Sequence, residues 1–422
     1  MGAATLFDGI DTLSIAYILP ALVADWHLSH SQAALLIAIG YAGQLLGGVA
    51  SGWLAEKVGR RTTIVVTVAV YGLLSLCCAI SWNYSSLLVF RTLQGLGLGG
   101  EVPVAATYVN ELAQAKTRGR FFLLYEQVYS AGRLAAALLG VWIVGNFGWR
   151  YMFLVGGLPA ILAAVLRREL PESPRWLLSK GRIQAADRAV RGIEMVAMFE
   201  TAETVDSQAG PDVAPAERTD WKELFTKAYA SRTLATWLIW FVTFLLLNGL
   251  ANWVPTLYTV VFHLPLQTAL RYGAISSVMG FAGCVTVAFL VELIGRRRWY
   301  IGAFSAAAVT CLVLGFRGTA SPTEMLALTS ATAFFVNSIA MIAFLHTPEI
   351  YPTRIRALAT SLASAWLRVA SIVAPIFIAF TLSRGSLSEV FLVFGAAAGA
   401  AGLVCVRFVR ETSGRTLEEI AP

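Results

Sequence analysis

The chain is poor in charge and in the residue types that perform enzymatic chemistry. Only 14% of its 422 residues are Asp, Glu, Lys or Arg, against 57% hydrophobic. A soluble domain of that balance would leave far too much apolar surface in water. The four histidines and five cysteines show no metal-ligand or triad spacing, which argues against an enzyme and against a bound metal. Cys77, Cys78, Cys284, Cys311 and Cys405 fall in apolar runs and read as packing residues. No Gly-x4-Gly-Lys-Ser/Thr string occurs, so ATP drive is not expected, and no cofactor is expected. The first apolar run lacks the basic n-region and small-residue cleavage site of a signal peptide and is read as a retained helix. It begins so close to Met1 that a trimmed or late start is expected.

What the chain does have is long apolar runs. At about 20 apolar residues per membrane crossing, helices are expected near 3–24, 33–55, 62–81, 86–111, 121–145, 149–167, 233–258, 270–292, 299–316, 324–346, 357–382 and 388–408. That gives twelve spans in two sets of six. Residues 1–167 form the first bundle, 168–232 a linker with short helices, and 233–422 the second bundle with its tail.

The net charge of +7 invites a nucleic-acid reading, but its placement points elsewhere. Lys57, Arg60, Arg61, Lys116, Arg118, Arg120, Arg296, Arg297, Arg298, Arg354, Arg356, Arg407 and Arg410 all fall in alternate loops or the tail. By the positive-inside rule both termini and the linker are cytoplasmic. No nucleic-acid partner is expected.

The most informative string occurs twice. Gly52-Trp-Leu-Ala-Glu56-Lys57-Val-Gly59-Arg60-Arg61 returns as Ala288-Phe-Leu-Val-Glu292-Leu-Ile-Gly295-Arg296-Arg297, and Arg118 and Arg120 recur at the same offset as Arg354 and Arg356. A duplicated membrane protein with a cavity between its halves is the plan of many secondary transporters. The string reads as a cytoplasmic latch in which Gly52 lets helices approach closely and Glu56 pairs with Arg60 or Arg61 or meets a helix N-terminus. Ala288 in the second copy is expected to loosen that latch. Glu172 and Arg175 in Pro171-Glu-Ser-Pro-Arg-Trp176, Glu349 and Arg354 in Pro348-Glu-Ile-Tyr-Pro-Thr-Arg-Ile-Arg356, and Glu411 in the tail add further partners, with Glu292 and Arg296.

These strings, with Arg91-Thr-Leu-Gln94-Gly95-Leu-Gly97-Leu-Gly99-Gly100, resemble the major facilitator superfamily across nearly the whole chain. Within it the chain is similar to the sugar-porter and organic-ion branch, and most similar to bacterial niacin and aromatic-acid proton symporters. The resemblance implies an all-α fold of twelve spans in two pseudo-symmetric bundles, with alternating access and helices 1 and 4 of each half lining the cavity.

Ionisable residues in the hydrocarbon zone cost at least about 2.5–3.5 kcal/mol, so each is a functional candidate. Asp11 in Phe7-Asp8-Gly-Ile-Asp11-Thr12 resembles the aspartate that titrates against the helix-4 arginine, here Arg91, in proton-coupled sugar porters. Asp11 is the expected proton carrier, with Asp8 as a possible partner or replacement. Glu101 and Glu126 join this set, and the seven-residue spacing from Glu126 to Arg133 predicts two turns facing one polar seam. Arg368 in Trp366-Leu-Arg368-Val-Ala-Ser371 resembles the helix-11 arginine of organic anion transporters and is the expected carboxylate anchor. Further candidates for substrate contact are Arg133, Tyr41, Gln44, Gln94, Tyr129, Asn248, Asn252, Trp253, Asn337, Phe344 and Trp366, since amides orient and aromatic rings hold a planar acid.

The expected partners are a small organic anion, a proton and the lipid bilayer, with the protein a monomer. Nicotinate leads and hydroxybenzoate-like acids follow. A sugar symporter, an exporter of organic cations and a membrane sensor without flux remain as alternatives.

Overall fold

In the computed structural model, residues 2–112, 118–198, 221–227, 229–318 and 321–413 are described, and among them the chain is helical without strands. A backbone in lipid must satisfy its own amides, which is why apolar runs of this length fold as helices. In chain order the helices are α1 Gly2–Trp26, α2 His30–Val58, α3 Arg60–Ala79, α4 Tyr84–Leu112, α5 Arg118–Phe147, α6 Trp149–Gly156, α7 Pro159–Glu169, α8 Pro174–Ser179, α9 Ile183–Met198, α10 Ala230–Val260, α11 Leu266–Ile294, α12 Arg296–Arg317, α13 Pro322–Glu349, α14 Thr353–Ser383 and α15 Leu387–Phe408. Eleven helical spans are long and apolar enough to cross a membrane, α6 and α7 counting as one. α4 is a further long helix that carries Arg91, Gln94 and Glu101 in its run.

Two local expectations change. The sixth run breaks at Gly157 and Leu158, where Pro159, lacking an amide hydrogen, starts α7. The helix expected after Thr219 is a single 3-10 turn, Trp221–Phe225, and Thr219 and Asp220 lie outside the described residues.

The helix pairing repeats. α1 packs on α5 as α10 does on α14, α2 on α4 as α11 on α13, and α3 on α7 as α12 on α15. The two sets meet where α2 touches α14, α5 touches α11 and α1 touches α10. Side chains such as Val49, Phe289, Leu293 and Phe316 are 75–79% exposed, an apolar belt that only lipid would cover.

Glycine brings α2 against α4, but not at the residue expected. A methyl group on Gly43 or Gly47 would strike the carbonyls of Thr92 and Leu96, and one on Gly95 or Gly99 those of Gly40 and Gln44. This is small-residue packing between membrane helices. Gly52, by contrast, has open space where its side chain would be. It is not a close-approach glycine, so Ala288 at the matching position of the second copy costs no packing on that account.

Candidate functional site

Between the two sets of helices lies a cavity with about 660 Å³ of empty volume. Its walls are Leu13 of α1, Ser130, Arg133 and Leu134 of α5, six residues from Leu246 to Pro255 on α10, and residues of α11 and α13 including Ser276, Ser277, Phe281, Thr329, Thr332 and Asn337. Arg133 is the one charged residue among the lining residues. The wall is therefore apolar with a few hydroxyls, an amide and a guanidinium, the chemistry of a small-ligand site. Helix α4 contributes nothing to this wall, contrary to the expectation for it, because its polar residues face into the first half.

Of these, Arg91 and Gln94 form a network with Asp11 in which Arg91 Nε is left without a partner among the described residues. Gln94 Nε2 donates to Asp11 Oδ1 at 2.8 Å, and Arg91 Nη1 donates to Gln94 Oε1 at 2.8 Å and to Asp11 Oδ2 at 3.4 Å. Arg91 and Gln94 share one face of α4 by their spacing of three. The three side chains are at most 4% exposed, and the Phe153 ring lies 6.0 Å from the guanidinium carbon. A methyl on Gly156 would collide with the Ser75 hydroxyl and the Asp11 carboxylate. Asp11 and Arg91 thus meet as a pair away from the cavity, and Gln94 serves that pair rather than the cavity wall.

One turn earlier on α1, Asp8 has different surroundings. The Thr12 hydroxyl donates to its Oδ1 at 3.4 Å, and its electrostatic neighbours are Glu101, Asp11 and, from α14, Arg368. Glu101 is fully buried; Thr5 donates to its Oε1 at 3.4 Å, while Oε2 has no hydrogen-bond partner among the described residues. Glu126 is buried and bears on Glu101. Asp8 and Glu126 of the first half therefore both act electrostatically on Glu101.

Arg368 does not line the cavity. It lies across the α2–α14 contact, its guanidinium 3.9 Å from where a Gly48 side chain would begin, with Nη1 donating to the Ser364 carbonyl at 3.4 Å and Nε without a partner among the described residues. The seam expected from Glu126 to Arg133 also divides, because seven helical residues span about 10 Å. Glu126 sits with Glu101 and Arg133 with the cavity, while Tyr129 between them interacts with Asp8, Arg133 and Tyr41.

The remaining candidates scatter. Asn337 lines the cavity and donates to the Ala333 carbonyl at 2.7 Å. Asn252 Nδ2 reaches the Tyr41 hydroxyl across the two helix sets at 3.2 Å, and its Oδ1 has no partner among the described residues. Asn248 donates to Ser371 Oγ at 2.7 Å, and Trp253 is buried beside the cavity helix face with its indole nitrogen unpartnered among the described residues. Gln44 is partly buried on α2 and makes no part of the cavity wall. Phe344 packs on Trp240 (ring centroids 4.7 Å apart) and Trp366 on Trp237 (5.6 Å). These last two are packing aromatics, because neighbouring rings cover the faces a ligand would need.

Sequence reasoning missed Ser130, Ser276, Ser277, Thr329 and Thr332 in the cavity, and Tyr17, whose hydroxyl lies 3.0 Å from Ser277 Oγ. Small hydroxyl residues in an apolar run look like helix packing, and only their shared direction sets them apart.

The duplicated strings form matching turns. Gly59 (φ 103°) and Gly295 (φ 88°) adopt backbone geometry that favours glycine and reverse the chain between helices. At the first turn Glu172 Oε1 accepts from the amides of Arg60 at 2.8 Å and Arg61 at 3.1 Å, opening α3. At the second, Glu411 accepts from Arg296 at 2.9 Å and Arg297 at 3.1 Å, opening α12. Each carboxylate meets the positive end of a helix dipole. Four amides, those of Ser413, Arg296, Arg297 and Thr412, outweigh the burial that would push the Glu411 carboxyl up, and hold it below the usual carboxylate range.

Arginines brace both turns. Arg60 pairs with Glu56 at 2.8 Å, while Arg61 donates to the Arg167 carbonyl. Arg296 holds both oxygens of Glu292 at 2.6 Å and reaches Glu349 at 3.2 Å. The second copy is therefore firmly braced, not loose as Ala288 suggested. Arg354 pairs with Glu223 of the 3-10 turn, Arg175 is exposed and forms no ion pair among the described residues, and the Arg118 side chain lies outside the described residues.

Long apolar helices around a largely apolar internal cavity that holds one guanidinium, with charge buried in the span, define a helical membrane transporter. The family model described as "Sugar (and other) transporter" matches residues 9–422. A niacin transporter of Acinetobacter baylyi is 34% identical over 421 residues, covering 100% of this chain and 94% of that protein. A 4-hydroxybenzoate transporter of the same organism is 27% identical, covering 83% of this chain and 76% of that one. The crystal structure of a D-xylose-proton symporter shares the fold with a TM-score of 0.73 over 98% of each chain, at 23% identity. The chain belongs to this sugar-transporter family of the major facilitator superfamily.

Proposed function

We propose that this protein is a proton-coupled symporter that imports a small aromatic monocarboxylate, nicotinate foremost, by alternating access. The carrying observation is the cavity whose one charged lining residue is Arg133. A guanidinium in a low-dielectric pocket binds a carboxylate through two parallel hydrogen bonds and favours it over a neutral sugar or a cation. Leu246, Leu250, Val254 and Phe281 then flank a flat ring, and Asn337 with the nearby hydroxyls is available to a ring nitrogen or hydroxyl. The niacin and hydroxybenzoate transport of the two relatives supports this substrate class.

In this reading Arg133 takes the anchor role that the family resemblance implied for Arg368, and Arg368 balances the Asp8 carboxyl of the opposite half. Proton coupling resides in Asp8, Glu101 and Glu126, rather than in the Asp11–Arg91 pair. A proton is cheapest to place on a buried carboxylate that lacks donors, and Glu101 Oε2 has none among the described residues. Loss of charge on Asp8 frees Arg368 and lets α2 and α14 part. The reading takes twelve spans, α4 included, in bundles 1–167 and 233–422 around the 168–232 linker. It places both termini in the cytoplasm of a bacterial inner membrane and the protein there as a monomer.

The test is uptake of labelled nicotinate into proteoliposomes under an imposed pH gradient. Arg133→Gln keeps hydrogen bonding but removes the charge, and uptake is expected to fall by roughly a hundredfold, as for a buried charge-assisted contact. Uptake at the wild-type rate would remove Arg133 as anchor. Binding without flux in the wild-type protein would favour the sensor reading.

A further inference from the structure

A second, smaller cavity lies far from the substrate site, at the end of the molecule that bears the Gly295 turn. It is a small, partly open hollow lined by Arg232, Thr236 and Ile239 of α10, His346 and Ile350 from the end of α13, Phe408 at the end of α15, and Val409 and Arg410 after it. We propose that this cavity binds the phosphate of an anionic phospholipid headgroup.

Its lining contains two guanidiniums and an imidazole and, among the described residues, no carboxylate. The two arginines are close enough to act on each other electrostatically, a repulsion that costs free energy unless an anion lies between them. The neighbouring acids are engaged elsewhere. Glu349 is held by Arg296 and by the Thr412 hydroxyl at 2.6 Å, and Glu411 by the amides that open α12. Arg232 uses one nitrogen on the Ile350 carbonyl at 3.3 Å, and Arg410 is exposed and forms no ion pair among the described residues. Arg232 also lies 5.6 Å from the Tyr229 ring centroid, and neither guanidinium is held by a carboxylate among the described residues, so both are open to a phosphate, whose oxygens a guanidinium matches in geometry.

The surroundings select a lipid over a free anion. On the helices that form the walls, Leu234 is 57% exposed, Leu403 74%, Val406 47% and Phe408 45%. The helices whose ends form the basic pocket thus carry exposed apolar side chains that lipid would cover, so acyl chains can lie along them while the headgroup is gripped at their ends. The pocket joins α10, α13 and the segment that carries Glu411. His346 Nε2 donates to the Arg410 carbonyl at 3.1 Å, so a bound phosphate would fix the strand from which Glu411 caps α12.

Native mass spectrometry of the full-length protein, released from detergent after addition of phosphatidylglycerol or phosphatidylcholine, tests this without reference to transport. One phosphatidylglycerol is expected to be retained, with retention reduced roughly tenfold in Arg410→Gln, further in the Arg232→Gln/Arg410→Gln pair, and unchanged in Arg407→Gln. Arg410 is exposed, so its variant tests the site even where Arg232→Gln impairs folding. Equal retention of both lipids, or retention unaffected in Arg410→Gln and in the double variant, overturns the proposal. A melting-temperature rise with inorganic phosphate alone, without lipid retention, overturns the lipid as occupant.

Discussion

Asp8 and Asp11 stand one turn apart on the same helix and illustrate two ways to bury a carboxylate. Asp11 finds its amide and guanidinium partners on α4, within one set of helices, and both its oxygens are satisfied. Asp8 has one hydroxyl donor, two other carboxyl groups nearby, and its balancing arginine on α14 in the other set. A pair inside one rigid unit persists whatever the units do. A pair that spans two units makes its charge balance depend on their arrangement, which is what coupling requires.

The largest expected effect comes from opening the closed pair. Arg91→Ala strands a buried carboxylate and should destabilise the protein by about 3–5 kcal/mol, whereas adding Asp11→Asn recovers much of this. Thermal unfolding in detergent checks both. A mild Arg91→Ala phenotype would break the contrast with Asp8.

Next in size is Asp8→Asn. It should leave the melting temperature nearly unchanged yet abolish accumulation driven by a pH gradient, while counterflow between equal pools persists. Asp11→Asn compared in the same assay sharpens the point: if it alone uncouples, the coupling carboxylate is Asp11.

Glu101→Gln is expected to lower the pH sensitivity of uptake severalfold without eliminating transport, since Asp8 and Glu126 remain. A pH profile of initial rates measures this.

The smallest effect concerns the turns. Glu411→Gln should cost about 1–2 kcal/mol, the worth of a helix cap. Because the Glu411 carboxyl lies below its usual range, its contribution is complete above the unfolded value near 4.3 and disappears as pH falls through the lower folded value. Unfolding measured against pH should lose that acid limb in the variant. An unchanged profile would show that the amides at the start of α12 do not depend on this carboxylate.

The helices and the duplicated turns were legible in the sequence, because each follows from a run of apolar residues or from a motif within a short stretch, whereas the Asp11–Arg91 meeting, 80 residues apart, was expected only through the family resemblance. The cavity was less so. Arg133 and Asn337 were among the candidates, but the hydroxyls around them were not. Arg368 and Arg133, both buried arginines, carried no sign of which one faced open space. The role of Gly52 was misread for a related reason: a glycine in a helix reveals small size but not whether a neighbour approaches it.

The length of the apolar runs dictated a membrane-spanning helical chain, since runs of about 20 residues fit helices and not the shorter strands of a barrel, and the repeated charged string showed two like halves. Which buried charges satisfy one another, and which are left facing a cavity or a second bundle, was decided only by the packing of α1, α4, α5 and α14. Electrostatic partnership depends on distances of a few ångströms between residues far apart in the chain, and no local pattern encodes them.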